Sequence, residues 1–474
     1  MTGAAALTGC SRRVATRPPN VLFIMADDLR PELGCYGSVA VTPCLDALAR
    51  RGMIFRKAYC QQAVCNPSRS SMLTGLRPDT LGLYVNGTHF RELKPTVNTL
   101  PGWMKEHGYT TRCVGKIFHN WHTKEHGDPR SWSAPEFLHY ANHGDDVPQA
   151  SGPLPPNLAT LSSTLRQYGK VPLCECRDVP DEAYYDGRVA AEAVRVLGEI
   201  KNEPFFLAVG FWKPHAPFNA PQKYWDMYPA GTIKLPDNYQ PSPDVPAPAL
   251  HNWYELRTYG DVPSAGGIPD EMALNLIRGY RACTSFVDAQ IGRVLDELDR
   301  LGLRESTIVV LLGDHGYHLG ENGIFTKMTN FELCTHAPLI VSAPGQKPGQ
   351  RTRALVEFVD IYPTLAELCG LKLPSHLEGT SFAPLLADPE QKGKRAAFSQ
   401  YLRTGKEKFM GRSVRTDRWR YTEWTNMKDE LVGTELYDER TDPKENHNLA
   451  KDPANAETVA AMAKQLHEGP KGLR

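Results

Sequence analysis

The chain has 474 residues, with 54 Lys and Arg residues against 54 Asp and Glu residues. At about 100 to 200 residues per domain, this length predicts one large domain and a smaller unit. Because the formal net charge is zero, no overall field attracts nucleic acid or an anionic membrane, and any attraction for anions must be local. No apolar run approaches a membrane span, so no transmembrane segment is predicted.

The first predicted segment is a leader over residues 1–17. Within it, Leu7, Thr8, Gly9 and Cys10 are similar to a bacterial lipobox, whose cysteine carries a lipid anchor. The usual basic and apolar regions of such a signal are missing, because only six residues precede Leu7. The lipobox interpretation predicts lipidation of Cys10 and a periplasmic or cell-surface location in a bacterium. The alternative is a flexible tail that matches by chance.

Apolar runs at residues 20–26, 204–211, 307–312 and 337–342 predict strands that are covered on both faces, and a further strand is expected at 110–114. Helical patterns lie between them at residues 42–51, 181–200, 270–301 and 361–368. Strands that alternate with helices predict a mostly parallel sheet with helices on both faces. The predicted fold class is therefore α/β.

Two long stretches, residues 139–179 and 219–269, show no regular pattern and are interpreted as functional covers or surface linkers. Beyond about residue 390 the pattern changes to short strands and a late helix. We therefore predict a catalytic domain over residues 18–390 and a smaller α+β subdomain over residues 391–474, packed against the main sheet.

Acidic residues and a histidine follow two of the predicted strands. Asp27 and Asp28 end the first strand, and Asp314 and His315 follow the strand at 307–312. Ligands of parallel α/β sheets gather at these strand ends. Three carboxylates in one pocket repel each other unless a hard divalent cation holds them, and such sites suit calcium or magnesium. A lone Asp-Asp pair is more often a turn or a cap.

Cys65 opens the run Cys-Asn-Pro-Ser-Arg-Ser-Ser-Met-Leu-Thr-Gly, which ends at Gly75. Pro67 has a fixed φ and suits the first turn of a helix that continues through Leu73. Cys65 then lies at the helix N-terminus, where free N–H groups and the helix dipole favour an anion. The alternative is a buried structural cysteine, since free cysteine is among the most buried residue types.

This run resembles the signature of the type I sulfatases, C-x-P-S-R-x-x-x-L-T-G, and matches it at every fixed position. The resemblance implies an alkaline-phosphatase-like fold. It also implies that a formylglycine-generating or sulfatase-maturating enzyme oxidises Cys65 to formylglycine, whose hydrate supplies a hydroxyl nucleophile. One calcium ion would be bound by Asp27, Asp28, Asp314 and His315 with the modified Cys65. His315 stands where many sulfatases carry Asn.

The resemblance also assigns catalytic roles. Lys116 would contact the nucleophile or the sulfate, and His119 would handle a formylglycine hydroxyl proton. His215 would contact the sulfate ester and protonate the leaving oxygen, Lys327 would add positive charge at the sulfate, and Arg69 would orient the formylglycine. Taken singly, each His or Lys is more often a surface or structurally satisfied residue, so the prediction requires that they lie together.

The implied mechanism has two steps, a displacement at sulfur and then the reforming of the carbonyl, which use the two hydroxyls of one carbon. One hydroxyl of the hydrated aldehyde attacks sulfur while the metal and the lysines stabilise the developing oxyanions, and His215 protonates the departing alcohol. His119 then removes the proton of the remaining hydroxyl, so that the aldehyde reforms and sulfate leaves. A plain serine or cysteine sulfate could not collapse in this way and would need attack by water.

Within the family, the order and context of the motifs at residues 26–31, 115–119, 213–218, 313–316 and 410–416 resemble the iduronate-2-sulfatase group. This implies a 2-O-sulfated uronic acid of a glycosaminoglycan as substrate. Met328 follows Lys327 where an aromatic residue is usual, near the expected sugar subsite, so another sulfated polysaccharide is an alternative. Two further alternatives for the function remain. One is a phosphoric or phosphonic ester hydrolase of the same superfamily, and the other is a non-catalytic sulfated-glycan binder with unmodified Cys65.

Overall fold

The computed structural model describes residues 17–119, 127–137, 172–251 and 254–471. Cys10 and most of the stretch 139–179 lie outside these residues, so the predictions made there stay predictions. The strands are β1 Asn20–Ala26, β2 Met53–Phe55, β3 Ala58–Tyr59, β4 Thr110–Gly115, β5 Cys174–Arg177, β6 Phe205–Phe211, β7 Phe218–Pro221, β8 Thr307–Gly313, β9 Leu339–Ser342, β10 Gln350–Thr352, β11 Val356–Glu357, β12 Ala397–Arg403, β13 Phe409–Arg415, β14 Trp419–Asn426 and β15 Leu431–Asp438.

The α-helices of the same residues are α1 Pro43–Arg51, α2 Cys65–Thr74, α3 Pro78–Leu81, α4 Phe90–Leu93, α5 Leu100–Glu106, α6 Tyr185–Ile200, α7 Gln222–Trp225, α8 Asp270–Arg300, α9 Glu332–Thr335, α10 Ile361–Leu368, α11 Ala383–Ala387 and α12 Ala456–Glu468. In the described part of the chain, no helix combines the length and the apolar character that a membrane-spanning segment needs.

A seven-stranded sheet forms the centre of the molecule, in the order β10-β2-β9-β8-β1-β6-β4. β1 pairs in parallel with both β6 and β8, and β4 pairs in parallel with β6. β9 runs antiparallel to β8 and β2. The carboxyl ends of β4, β6, β1 and β8 therefore lie along one edge of the sheet, where ligands of such folds gather.

Helices cover the sheet on both faces because each strand alternates its side chains between two cores. Val21, Phe23 and Met25 of β1 belong to a core that includes residues of α2, α5 and α10. Leu22 and Ile24 belong to the opposite core, with residues of α1, α6 and α8. The predicted doubly covered, mostly parallel sheet is confirmed.

Two element boundaries differ from the sequence predictions by more than one residue. The helix predicted from residue 181 begins at Tyr185, after a 3-10 turn over Asp181–Ala183. The strand predicted from residue 337 begins at Leu339, because the preceding proline has no N–H for the sheet.

The prediction that residues 139–179 and 219–269 lack regular structure is wrong in part. β5 and β7 form a separate two-stranded parallel sheet, and α7 follows β7 directly. β7 has four residues and ends in Pro221, so it is too short to show an alternating pattern. Its partner is distant in the sequence, and local reasoning could not find the pair.

The C-terminal part forms a four-stranded antiparallel sheet, β12-β13-β14-β15, with α12 packed against β13 and β14. A buried charged cluster joins this sheet to α9. Arg420 of β14 bonds to Glu332 of α9 and lies 2.9 Å from Glu445. Arg415 of β13 lies 3.0 Å from the same Glu332. The boundary at residue 390 stays a prediction.

Candidate active site

The carboxyl ends of β1 and β8 lie side by side and carry three aspartates. Ala26 pairs with Gly313 at the end of the two parallel strands. The residues that follow β1 and β8 therefore begin next to each other. The backbone N–H of Asp28 donates a hydrogen bond to Oδ1 of Asp314 over 3.0 Å. Asp27, Asp28 and Asp314 are completely buried. The structure thus brings together the three carboxylates that the sequence places at two strand ends.

Asp28 has a left-handed backbone conformation, with a φ of 62°. This region is uncommon for residues other than glycine, although Asp tolerates it better than most. The hydroxyl of Tyr280 donates to the carbonyl oxygen of Asp28 over 2.7 Å, which holds the turn in place. Strained backbone of this kind concentrates at functional sites, and here it lets two consecutive carboxylates serve one site.

Cys65 is the first residue of α2 and follows Val64 in extended conformation. Its Sγ lies 3.3 Å from Oδ1 of Asp27 and 3.5 Å from Nε2 of His315. Burial and the Asp27 carboxylate raise the pKa of the Cys65 thiol well above its usual range. A thiol that stays protonated is a poor nucleophile. The arrangement is therefore unsuited to ordinary cysteine catalysis and fits a side chain that acts after modification.

Arg69 lies one helical turn after Cys65 and is completely buried. Its Nε donates to Oδ2 of Asp314 over 2.7 Å, and its Nη1 donates to the carbonyl oxygen of Lys116 over 2.5 Å. Its Nη2 lies 3.3 Å from Oδ1 of Asp27. Arg69 therefore ties α2 to the strand ends, and its role in orienting the modified Cys65 stays a prediction.

Lys116 enters the site directly after β4. Gly115 has a φ of 82°, and a Cβ on the facing Gly210 would lie 1.9 Å from the carbonyl oxygen of Lys116. Both glycines are therefore needed for the close passage of the two strands. The Nζ of Lys116 donates to Oδ2 of Asp27 in a short hydrogen bond and lies 4.3 Å from the centre of the Trp212 ring.

His119 follows Lys116 in the same segment after β4. Its side chain is buried, with 3% of the residue exposed. The fold thus delivers His119 to the same end of the sheet as Lys116. Its role as the base for the formylglycine hydroxyl stays a prediction.

His315 presents one ring nitrogen to the site. Its Nδ1 lies 2.9 Å from the carbonyl oxygen of Gly316 and donates to it, which leaves Nε2 as the nitrogen that can bind a metal. That Nε2 lies 3.5 Å from Oδ1 of Asp28 and 3.7 Å from Oδ2 of Asp314. A metal-binding histidine has the same arrangement, with its other nitrogen bonded to a carbonyl or carboxylate.

The segment after β6 places His215 at the site. The backbone N–H groups of Trp212 and Lys213 both donate to the carboxylate of Asp186 over 2.8 Å. The Nζ of Lys213 donates to two carbonyl oxygens of the same segment, that of His215 among them, over 3.0 and 2.5 Å. Burial raises the pKa of Asp186 to about 6. These bonds hold the segment so that Nε2 of His215 lies 3.9 Å from Oδ2 of Asp28.

Glu255 is the site residue that sequence reasoning missed. Its Oε1 lies 2.9 Å from Nζ of Lys327 and 3.1 Å from Nε2 of His215, and the same Nζ donates to Oδ2 of Asp28 over 3.0 Å. The side chain of Glu255 is 26% exposed, against 1% for Lys327. A single glutamate in a stretch without a pattern gives no signal in the sequence.

The described residues fit a divalent cation. The ligand atoms of Asp27, Cys65, Asp314 and His315 all lie within 4.8 Å of one another. Oδ1 of Asp28 is a buried oxygen for which the described residues provide no hydrogen-bond partner. An unpaired carboxylate oxygen in the interior is costly unless a cation lies against it. A donor set rich in carboxylate oxygens suits calcium or magnesium better than a soft metal.

The same site holds cations that can bind an anion. Burial raises the pKa of Asp314. Burial alone would also raise the pKa of Asp27, but Lys116 and Arg69 hold it well below its usual range. Burial opposes the charge of Lys327, yet its two carboxylate partners raise its pKa well above the usual range. Carboxylates for a metal and charged ammonium groups for an anion therefore meet beside Cys65.

Comparison with known proteins identifies the family. Residues 19–371 match the model of the sulfatase family, and residues 320–471 match that of the C-terminal part of N-sulphoglucosamine sulphohydrolase. The chain therefore belongs to the sulfatase family and is a sulfatase. Human iduronate 2-sulfatase is 34% identical to it over 512 aligned residues, which cover 91% of each chain.

Solved structures share the fold. A 2-O GAG sulfatase superposes with a TM-score of 0.73 at 24% identity and covers 95% of this chain and 92% of its own. The phosphonate monoester hydrolase of Agrobacterium radiobacter superposes with a TM-score of 0.77 at 23% identity, over 95% of both chains. These likenesses confirm the α/β architecture with its additional C-terminal antiparallel sheet.

Proposed function

We propose that this sulfatase removes sulfate from a sulfated glycan, and that its substrate is a 2-O-sulfated uronic acid of a glycosaminoglycan. The observation that carries the proposal is the position of Cys65. It begins a helix and lies within 3.5 Å of Asp27 and His315 in a site built from strand-end carboxylates. The similarity to iduronate 2-sulfatase over most of both chains supports the choice of sugar.

A calcium ion would be held by Asp27, Asp28, Asp314 and His315 together with the modified Cys65. When bound, the ion would neutralise charge on sulfate oxygens, and formylglycine would supply a hydroxyl nucleophile at neutral pH. The orphaned Oδ1 of Asp28 and the inward Nε2 of His315 support this assignment. Among the described residues, Oδ1 of Asp28 accepts no hydrogen bond, and the hydrogen-bond contact of Nε2 of His315 is with Sγ of Cys65, an atom that the modification replaces.

The residues of the chain provide the remaining chemistry. Lys116 donates a hydrogen bond to Asp27, and Lys327 donates one to Asp28. The two ammonium groups would bind sulfate oxygens as negative charge grows on them. His215 would donate a proton from Nε2 to the leaving oxygen. His119 would accept a proton from a hydroxyl of the modified side chain.

Replacement of His215 by alanine is expected to affect poor leaving groups most. An alkyl alcohol needs a proton as it departs, whereas an activated phenol does not. General acid catalysis contributes about 10²- to 10⁴-fold, so we expect kcat/KM for a sugar sulfate to fall by at least about 100-fold. For nitrophenyl sulfate the loss should be about 10-fold or less. Steady-state kinetics on both esters measure the difference.

The control for this variant is metal binding. We expect calcium to raise the melting temperature of His215→Ala as much as that of the unaltered protein, because none of the five proposed ligands is changed. Equal losses on the sugar and aryl esters, with calcium binding intact, would remove His215 from the role of leaving-group acid.

A phosphoric or phosphonic ester hydrolase is the second candidate, supported by the fold likeness to the phosphonate monoester hydrolase. A panel of aryl sulfate, aryl phosphate and aryl phosphonate esters separates the two, and we expect the sulfate to be preferred.

A second panel tests the sugar. A disaccharide with a terminal 2-O-sulfated uronate should be cleaved faster than one with a 6-O-sulfated glucosamine. The reverse order would favour another sulfated polysaccharide, and Met328 would be the first residue to examine.

We also propose that a formylglycine-generating or sulfatase-maturating enzyme acts on Cys65, and that the chain works at the cell surface or in the periplasm of a bacterium. The lipobox-like segment that ends in Cys10 supports this location. A mass spectrum of the N-terminal peptide from the native host tests it. A diacylglyceryl group on Cys10 is expected, and an unmodified Cys10 would support the chance match.

A further inference from the structure

Glu255 has an anchored backbone although it lies in a long connection. It precedes the 3-10 turn Leu256–Thr258, and its carbonyl oxygen accepts hydrogen bonds from the N–H and the hydroxyl of Thr258 over 3.2 and 2.6 Å. Leu256 and Tyr259 are 1% and 4% exposed and belong to a hydrophobic core. The Glu255 side chain therefore projects from a fixed point.

The same connection holds Lys327 at two places. Nε2 of His251 lies 2.9 Å from the carbonyl oxygen of Lys327, while Oε1 of Glu255 bonds to its Nζ. Burial lowers the pKa of His251 to about 3, so the ring is neutral and donates its Nε2–H to that carbonyl. The position of Lys327 thus depends on this connection.

The ring of His215 is bound at both nitrogens. Its Nδ1 lies 2.5 Å from the carbonyl oxygen of Ala216, and its Nε2 lies 3.1 Å from Oε1 of Glu255. Both partners are hydrogen-bond acceptors, so the ring is held on both sides and its Nε2 points to Glu255. Oδ2 of Asp28, at 3.9 Å from Nε2, is too far for a hydrogen bond. Within the described part of the chain, Glu255 therefore sets the direction of the Nε2–H.

We propose that Glu255 is a positioning residue for protonation of the leaving group. It holds the Nε2–H of His215 and the Nζ of Lys327 on one carboxylate oxygen at the more exposed side of the site. Because a carboxylate repels sulfate, Glu255 acts through these two groups and not on the substrate. This inference rests on the proposed hydrolysis of sulfate esters, in which His215 donates the proton.

The test compares Glu255→Ala and Glu255→Gln on two substrates. Loss of a residue that orients a metal ligand typically costs about 10- to 100-fold, and we expect a loss of the same order for Glu255→Ala in kcat on a sugar sulfate. On nitrophenyl sulfate the loss should stay below about 3-fold, because the phenol needs no proton and Lys327 keeps its hydrogen bond to Asp28. Glu255→Gln keeps an acceptor oxygen of the same reach, so it should recover most of the activity on the sugar sulfate.

Glu407→Ala is the matched control, since Glu407 is an exposed glutamate of the β12–β13 connection, and it should leave both rates unchanged. An equal loss on both esters would show a structural role and overturn the inference. So would a Glu255→Gln variant as impaired on the sugar sulfate as Glu255→Ala. Failure of the proposed function gives a different result, because the unaltered protein with its aldehyde would then release sulfate from neither ester.

Discussion

Replacement of Cys65 by alanine is expected to abolish sulfate release, with a loss of about 10⁴-fold or more, as for removal of other catalytic nucleophiles. The variant should fold normally, because Cys65 contributes one buried side chain at the start of α2 and its removal leaves the Arg69 bonds to Asp314 and Lys116 intact. Sulfate release from a sugar sulfate, measured beside the denaturation midpoint, separates the two effects.

Cys65→Ser gives a sharper control. Serine keeps one hydroxyl at the helix N-terminus, but in protein made without a maturating enzyme it has no second hydroxyl on the same carbon and so cannot expel sulfate by reforming a carbonyl. We expect no turnover and at most one sulfate retained per chain, detected as added mass on the peptide that carries the substituted serine. Multiple turnovers by this variant would contradict the account of the nucleophile.

Replacement of Arg420 by methionine is expected to cause the largest loss of stability. Arg420 is 1% exposed, bonds to Glu332, lies 2.9 Å from Glu445 and donates to the carbonyl oxygen of Asn330 over 3.0 Å. Methionine keeps the aliphatic bulk but removes the arginine partner of Glu445 and leaves Arg415 as the arginine partner of Glu332. Breaking a buried pair in this way costs about 3–5 kcal/mol, which a denaturant titration would show as a lower midpoint.

Arg418→Met is the matched control, because Arg418 lies two residues before Arg420, in the connection that leads into β14. Arg418 pairs with Asp438 over 2.6 Å, but its side chain is 47% exposed, and exposed pairs contribute little. We expect a much smaller shift of the midpoint than for Arg420→Met. Equal shifts for the two variants would mean that the buried cluster does not join the C-terminal sheet to the rest of the protein.

The sequence predicted the core of the fold because buried parallel strands leave a strong local signal. β1 and β8 are continuous apolar runs that end in acidic residues, and α2 begins at the cysteine that precedes Pro67. The position of Asp27, Asp28 and Asp314 then follows from the pairing of two strands. To predict this site it was enough to apply the general rule that ligands of parallel sheets bind at the carboxyl ends of the strands.

The rest of the site could not be predicted from local patterns. Glu255 lies 72 residues from Lys327 in the sequence, and nothing in its neighbourhood distinguishes it from a surface glutamate. The β5–β7 pair was missed for the same reason, because four-residue strands carry little periodicity. The role of Arg69 toward the modified Cys65 stays a prediction, and its described hydrogen bonds go to Asp314 and to backbone carbonyls.

The central claim is that Cys65 is converted into the nucleophile of a sulfatase, and a mass spectrum of the Cys65 peptide from protein made in its own host tests it most directly. The account predicts a peptide lighter by the exchange of a thiol for an aldehyde oxygen, and one that an aldehyde-reactive hydrazide labels. An unmodified cysteine in protein that cleaves sulfate esters would contradict the account. An unmodified cysteine in inactive protein would instead support a sulfated-glycan binder.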